Sequence, residues 1–180
     1  MKEIETKILE FDEKDLRENL EKVSAKYYGE HLLRRFVFDV IPYPSDQDEF
    51  FRVRTDGKKT TLTWKHRDNK IKGLGNTEEI EVFVSDFEKT VKILLKLWKG
   101  VLPYKQETKI EKWMYDEVEI AICTWPKIPK FLELEGESEE KIKSVIDKLQ
   151  IKGENIGNTN LAGIFEKYGQ KGMDMGDLSF

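Results

Sequence analysis

The 180-residue chain contains one cysteine, two histidines and five prolines, and these scarcities exclude whole classes of chemistry. Cys123 has no second cysteine to pair with, so no internal disulfide forms and nothing points to secretion. His31 and His66 have no spacing that makes a metal pair or triad and read as surface or strand-end residues. No Ser-His-Asp or Cys-His arrangement can be assembled, which excludes nucleophilic acyl chemistry. Gly73-Leu74-Gly75 is followed by no Gly-Lys-Ser/Thr, so there is no P-loop. The strongest apolar run, Ile93-Leu94-Leu95-Lys96-Leu97-Trp98, is far too short to span a bilayer. No repeat of fixed period is visible. Thirty-one basic against 35 acidic residues give a net charge of −4, so no overall basic field attracts nucleic acid or membrane. The N-terminus, Met-Lys-Glu, carries no apolar signal region. The expectation is a cytoplasmic protein with neither nucleic acid nor membrane as partner.

What the chain does have is charge, at 37% of residues, distributed with a period of two. Its length suits a single domain over 1–180, with 170–180 as a C-terminal tail, and allows burial of roughly 70% of the unfolded surface. Strand signals, rich in Val, Ile, Phe, Trp and Thr and bounded by turn residues, fall at 2–10, 32–41, 49–55, 59–66, 78–84, 105–114, 117–124 and 131–136. Asp56-Gly57 predicts a hairpin between the third and fourth. A helix is expected over 12–27, with Asp12 as N-cap and Leu16, Leu20 and Val23 as its apolar stripe. A second, over 86–98, opens on the capping box Ser85-Asp86-Phe87-Glu88. A third, over 138–149, has Ser138 as cap. A shorter one covers 159–168 and ends at Gly169. The polar stretch 67–77 reads as a mobile loop.

Alternation places Glu3, Glu5 and Lys7 on one face of the first strand, and Glu133 and Glu135 on one face of the eighth. Carboxylates this dense repel unless a cation sits among them, and hard divalent ions take oxygen ligands. If the two segments are neighbours in one sheet, they form a metal site. The same division recurs along the chain. Arg35 and Asp39 oppose Phe36 and Phe38, and Arg52 and Arg54 oppose Phe51 and Val53. Lys65 opposes Leu62 and Trp64, Glu79 and Glu81 oppose Ile80 and Val82, and Glu119 opposes Val118 and Ile120. On the sixth strand, alternation groups Lys105, Glu107, Lys109 and Glu111 as the ionic set. An ordinary sheet with one wet face accounts for any single strand. Eight such strands, with amphipathic helices needing an apolar surface to cover, suggest closure around a charged interior. Bases there would bind phosphate oxygens and carboxylates would hold a metal ion, the combination that suits a polyanion bound with metal.

Glu3-x-Glu5-x-Lys7 resembles the ExExK signature of the CYTH family, the triphosphate tunnel metalloenzymes that include class IV adenylyl cyclases and thiamine triphosphatases. Phe36-Val37-Phe38-Asp39, Phe51-Arg52-Val53-Arg54, Thr61-Leu62-Thr63-Trp64-Lys65 and Glu79-Ile80-Glu81-Val82 resemble that family's successive strands. Tyr104 to Trp113, Trp125-Pro126, Phe131-Leu132-Glu133-Leu134-Glu135-Gly136 and Tyr168-Gly169 are similar to its cyclase-like branch. The resemblance implies an α+β fold: an eight-stranded antiparallel closed β-barrel with a charged interior and helices packed outside. It implies that Glu3, Glu5, Glu133 and Glu135 hold Mg2+ or Mn2+, with Glu79 and Glu81 as further metal ligands or as partners orienting the bases. It implies that Lys7, Arg35, Arg52, Arg54, Lys65 and Lys109 bind a triphosphate, with Lys7, Arg54 and Lys65 in catalytic positions. The implied substrate is inorganic triphosphate, thiamine triphosphate or ATP, and the implied reaction is hydrolysis or cyclisation to cyclic AMP and pyrophosphate. A non-catalytic nucleotide- or polyphosphate-binding module is the alternative. Barrels of this family often pair, so a homodimer is a further expectation. Two positions depart from the cyclase-like pattern. Cys123 stands where an Asp is usual, and Ile110 where a second base follows Lys109.

Overall fold

The computed structural model describes residues 4–40, 47–68, 77–99, 102–170 and 176–180. Glu3, most of the expected 67–77 loop and part of the 170–180 tail lie outside the described residues. Two compact units are present, Met1–His31 with Lys109–Met173, and Leu32–Thr108 with Asp174–Phe180.

The first unit is built on β1 (Ile4–Leu9), β6 (Tyr104–Tyr115), β7 (Val118–Thr124), β8 (Phe131–Gly136) and β9 (Glu154–Gly157). Two of its helices are α1 (Glu13–Lys22) and α3 (Glu139–Lys148), and α4 (Leu161–Lys167) follows β9. The antiparallel order is β6-β7-β8-β1-β9. The apolar sides of the strands, Ile8, Leu132, Leu134, Val118, Ile120 and Ile122, pack against Leu16 and Leu20 of α1 and Ile142 and Val145 of α3. At the helix starts, the Asp12 carboxylate accepts from Asp15 N at 2.9 Å and the Ser138 hydroxyl from Lys141 N at 3.2 Å, so both predicted caps form. Asn160 caps α4 in the same way. The first helix is shorter than expected. It stops at Lys22 because Ser24 takes a left-handed φ of 55° and Ala25 N bonds Leu20 O, and β2 (Lys26–Asp39) then begins where helix was expected.

The second unit contains most of β2, β3 (Gln47–Thr55), β4 (Thr60–Asp68), β5 (Thr77–Phe83), α2 (Phe87–Leu97) and β10 (Asp177–Leu178). Its order is β5-β4-β3-β2, antiparallel throughout. The predicted Asp56-Gly57 hairpin forms: Gly57 has φ 88°, and the Asp56 carboxylate accepts from Lys58 N and Lys59 N at 2.8 and 2.7 Å. Phe38, Val53, Phe87, Val91 and Leu94 form the buried core, with Phe36, Phe51 and Leu62 against it. Asp86 caps α2, accepting from Lys89 N at 2.9 Å, one position later than the box read from Ser85. The end of the tail is docked: β10 pairs with β6 in parallel, and Phe180 N donates to the Glu107 carboxylate at 3.1 Å.

The antiparallel α+β reading holds, but hydrogen bonds do not close the sheet into the expected barrel. Among the described residues the order ends at β5 on one side and β9 on the other. The edge of β1 is taken by β9, whose short Glu154-Asn155-Ile156-Gly157 segment has no strand signature in the sequence. No helix among the described residues is long and apolar enough to cross a membrane.

Candidate functional site

Register decides which side chains share a face. In the first unit Glu5 lies opposite Glu135, and Glu135 opposite Glu119, a row of three carboxylates across β1, β8 and β7. The next row runs Lys7, Glu133, Ala121, Lys112 across β1, β8, β7 and β6. Both rows lie on the side away from the Ile8, Leu134 and Ile120 core. Lys7 has only 7% of its side chain exposed, and its ammonium donates to Glu5 Oε1 at 2.9 Å and reaches Glu133 Oε1 at 3.4 Å. The other oxygen of Glu133 accepts from the buried Cys123 thiol at 3.4 Å. Lys112 Nζ donates to Glu119 Oε1 at 2.6 Å.

Register thus brings Glu5, Glu133, Glu135 and Lys7 onto one face in adjacent rows. The three carboxylates offer hard oxygen donors, the ligand type that Mg2+ and Mn2+ take, whereas the Lys7 ammonium competes for them. The ammonium of Lys7 now supplies the counter-charge between two of the carboxylates. Among the described residues, no group of three or more His, Cys, Asp or Glu is placed to hold a metal ion.

In the second unit, Arg35 opposes Arg54, Arg54 opposes Thr61, Arg52 opposes Thr63, Thr63 opposes Glu81 and Lys65 opposes Glu79. All project from the side away from the α2 core, as alternation predicts. Lys65 pairs with Glu79 at 3.0 Å, and Thr63 Oγ1 donates to Glu81 Oε2 at 2.7 Å. The arginines are less well served. Arg52 reaches Glu79 only at 3.9 Å, and Arg54 reaches Glu81 at 3.8 Å. Among the described residues, the buried Arg52 Nε and the Thr61 hydroxyl have no hydrogen-bond partner. Burial first, and then the charge of Arg54, pull the Arg52 pKa down against the raising effect of Glu79 and Glu81. Arg35 Nη2 donates to Thr108 Oγ1 at 3.0 Å. Like charges directly opposite one another destabilise a sheet. This face therefore holds guanidinium groups at a desolvation cost that an anion would offset.

Glu79 and Glu81, expected as metal ligands or as partners of the bases, are thus engaged by Lys65, Arg52, Arg54 and Thr63. The sixth strand requires a correction. Lys109 is in register with Thr124, Glu111 with Ile122 and Trp113 with Ile120, so Lys109 and Glu111 lie on the core side of the sheet. Ile110, Lys112 and Met114 occupy the ionic side. The cause is a buried polar network. Glu111 accepts from Arg17 Nη2 at 2.6 Å, Arg17 Nε at 3.1 Å and Trp113 Nε1 at 2.9 Å, so a carboxylate sits where alternation leads one to expect an apolar side chain. Lys112 and Glu119 complete the ionic face and were absent from the set nominated by motif. The signal for Lys112 was its spacing from Trp113.

No family model and no curated protein matches the chain. Solved structures do. A protein from Pyrococcus horikoshii is 20% identical, with a TM-score of 0.64 over 83% of this chain and 91% of that one. A protein of Vibrio parahaemolyticus provisionally named an adenylate cyclase is 10% identical, with a TM-score of 0.65 over 91% of this chain and 97% of that one. A Hippeastrum protein, provisionally named an adenylyl cyclase but with a dominant triphosphatase activity, is 13% identical, with a TM-score of 0.56 over 96% of this chain and 97% of that one. The resemblance to the CYTH family carried by the strand motifs therefore holds at the level of the fold, which this chain shares with cyclase-like and triphosphatase structures.

Proposed function

We propose that this protein is a metal-dependent enzyme that hydrolyses a triphosphate, either inorganic triphosphate, thiamine triphosphate or a nucleotide. The observation that carries the reading is Arg52: a buried guanidinium with an unpartnered Nε, beside Arg54 and with its nearest carboxylate at 3.9 Å. Arg binds phosphate oxygens through paired N–H donors, and neutralising their charge is the larger part of phosphoryl-transfer catalysis. The chain shares its fold with a protein of dominant triphosphatase activity, which is compatible with hydrolysis.

In this reading Arg35, Arg52, Arg54 and Lys65 bind phosphate oxygens, and Arg54, Lys65 and Lys7 offset the charge that builds on them during transfer. Glu79 and Glu81 orient the bases. Glu5, Glu133 and Glu135, with Glu3 from the ExExK motif, would hold Mg2+ or Mn2+. The ion would neutralise phosphate charge and lower the pKa of water. Water attacks the terminal phosphorus and its proton passes to solvent or a carboxylate. The bridging P–O bond breaks with its electron pair on the diphosphate leaving group. The closed tunnel implied by the family resemblance belongs to this proposal.

The test is product analysis with inorganic triphosphate, thiamine triphosphate and ATP, each with Mg2+ or Mn2+, with Arg52→Met as control. Orthophosphate from one substrate, lost in the variant, supports the proposal and names the substrate. Cyclic AMP with pyrophosphate replaces hydrolysis by cyclase chemistry. Saturable binding with no product from any of the three assigns the non-catalytic module instead.

A further inference from the structure

We infer that Lys112, rather than Lys109, is the base through which β6 contacts the phosphate chain of the ligand. The inference rests on the triphosphate reading above and concerns a residue that the motif comparison did not select. Its basis is the row Lys7-Glu133-Ala121-Lys112. Adjacent strands lie about 4.8 Å apart, so the two lysines stand about 14 Å apart at their backbones, on one face and on the same line. Between them is Glu133 and, next to Lys112, Ala121. The methyl group of Ala121 directly opposite Lys112 adds no bulk beside the ammonium, which Glu119 alone reaches from β7.

The donor count agrees. A lysine ammonium has three N–H donors. Among the described residues, Lys112 uses one on Glu119, and Lys7 uses one on Glu5 with Glu133 as an ion-pair neighbour at 3.4 Å. Each retains a donor for an anion oxygen. The side chain of Lys112 is 36% exposed, so ligand can reach it, and Glu119 holds the ammonium in place without burying it. Lys109 fails on the same grounds. It lies on the opposite side of the sheet, in register with Thr124 and flanked on that side by Glu111. On β6 within this unit, Ile110 and Met114 are the other two ionic-side positions, so Lys112 is the base that the strand contributes there.

The test is calorimetric titration of inorganic triphosphate, at fixed Mg2+, into the full chain and into Lys112→Ala, Lys112→Arg, Lys109→Ala and Arg52→Ala. Loss of one charge-assisted contact weakens binding by about tenfold. The expected result is about that loss in Lys112→Ala, with a shallower dependence of affinity on salt concentration. Lys112→Arg should retain most of the affinity, and Lys109→Ala should match the parent. A merely structural role for Lys112 would not change the salt dependence. Two results overturn the inference while leaving the triphosphate reading standing: parent-like binding by Lys112→Ala while Arg52→Ala is weakened, or equal losses in Lys109→Ala and Lys112→Ala. Absence of binding by the parent protein overturns both.

Discussion

Lys7, in the first unit, and Arg52, in the second, are both cations taken out of water, and they are treated differently. Among the described residues, Lys7 has carboxylate oxygens at 2.9 and 3.4 Å, whereas the nearest to Arg52 is at 3.9 Å and its Nε is unpartnered. The faces around them differ in the same sense. In the first unit Glu5, Glu119, Glu133 and Glu135 outnumber Lys7 and Lys112, four charges to two. In the second, Arg35, Arg52, Arg54 and Lys65 outnumber Asp39, Glu79 and Glu81, four to three. The first face carries an excess of carboxylates, with its buried base well paired, and leans towards binding a cation. The second carries an excess of bases, with its most buried base poorly paired, and leans towards binding an anion. A polar group left unsatisfied in a folded protein costs stability unless a ligand completes it. That imbalance points to the second unit as the place where phosphate charge is met.

The contrast is broken most sharply by substituting Arg52. Arg52→Met should lower triphosphate turnover by about a hundredfold or more, as loss of a charge-stabilising donor does elsewhere. It should leave the thermal midpoint unchanged or raised, because a poorly paired buried charge is replaced by an apolar side chain of similar length. The same logic gives the opposite result in the first unit. Glu5→Ala with Glu133→Ala strands the buried Lys7 ammonium, and denaturant unfolding should show a loss of about 3 kcal/mol. Equal stability changes in the two variants would erase the comparison.

A smaller effect concerns the strand that carries Glu5 and Lys7. Gly153 has φ 148°, and a Cβ there would lie 2.3 Å from Leu9 O and 2.7 Å from Ile8 Cγ2. Gly153→Ala should therefore push on β1 and lower stability by about 2 kcal/mol in urea melts, with a shift of the Lys7 amide resonance. Smaller again is an acid limb. Burial works to raise the Glu111 pKa, but hydrogen bonds from Arg17 and Trp113 and the Arg17 charge outweigh it, so the net shift is downward from 4.5. Glu13, bonded to Lys130 and Arg17, shifts the same way. A carboxylate with a depressed folded-state pKa contributes stability that is complete above its ordinary value and is lost as pH falls through the folded one. Stability should thus decline below about pH 4.5, and Glu111→Gln should flatten part of that decline in a pH series of melts.

Alternation made much of this legible. In the second unit Arg35, Arg52, Arg54, Lys65, Glu79 and Glu81 lie away from the α2 core as alternation predicts, although Arg34 shares the core side and stacks over Phe87. The first unit defeats the same reasoning at β6. Glu111 is buried by a guanidinium from α1, 94 residues away in the chain, and a partner that distant leaves no local trace. Counting back from the apolar Trp113 instead of forward from Lys105 would have selected Lys112. The β9 segment was missed because Glu154 and Asn155 are poor strand formers, and its pairing depends on the open edge of β1. The premature end of α1 turns on a left-handed Ser24, which helix propensity does not signal. Motif comparison found the convergence of Glu5, Lys7, Glu133 and Glu135, but it could not show that Lys7 already neutralises two of those carboxylates.

The most direct measurement is orthophosphate release from inorganic triphosphate, thiamine triphosphate and ATP with Mn2+, by the parent protein and by Arg52→Met at matched thermal stability. Release from one of them by the parent and its loss in the variant is the predicted result. Equal release by both would contradict the account, because the buried guanidinium would then have no part in meeting phosphate charge.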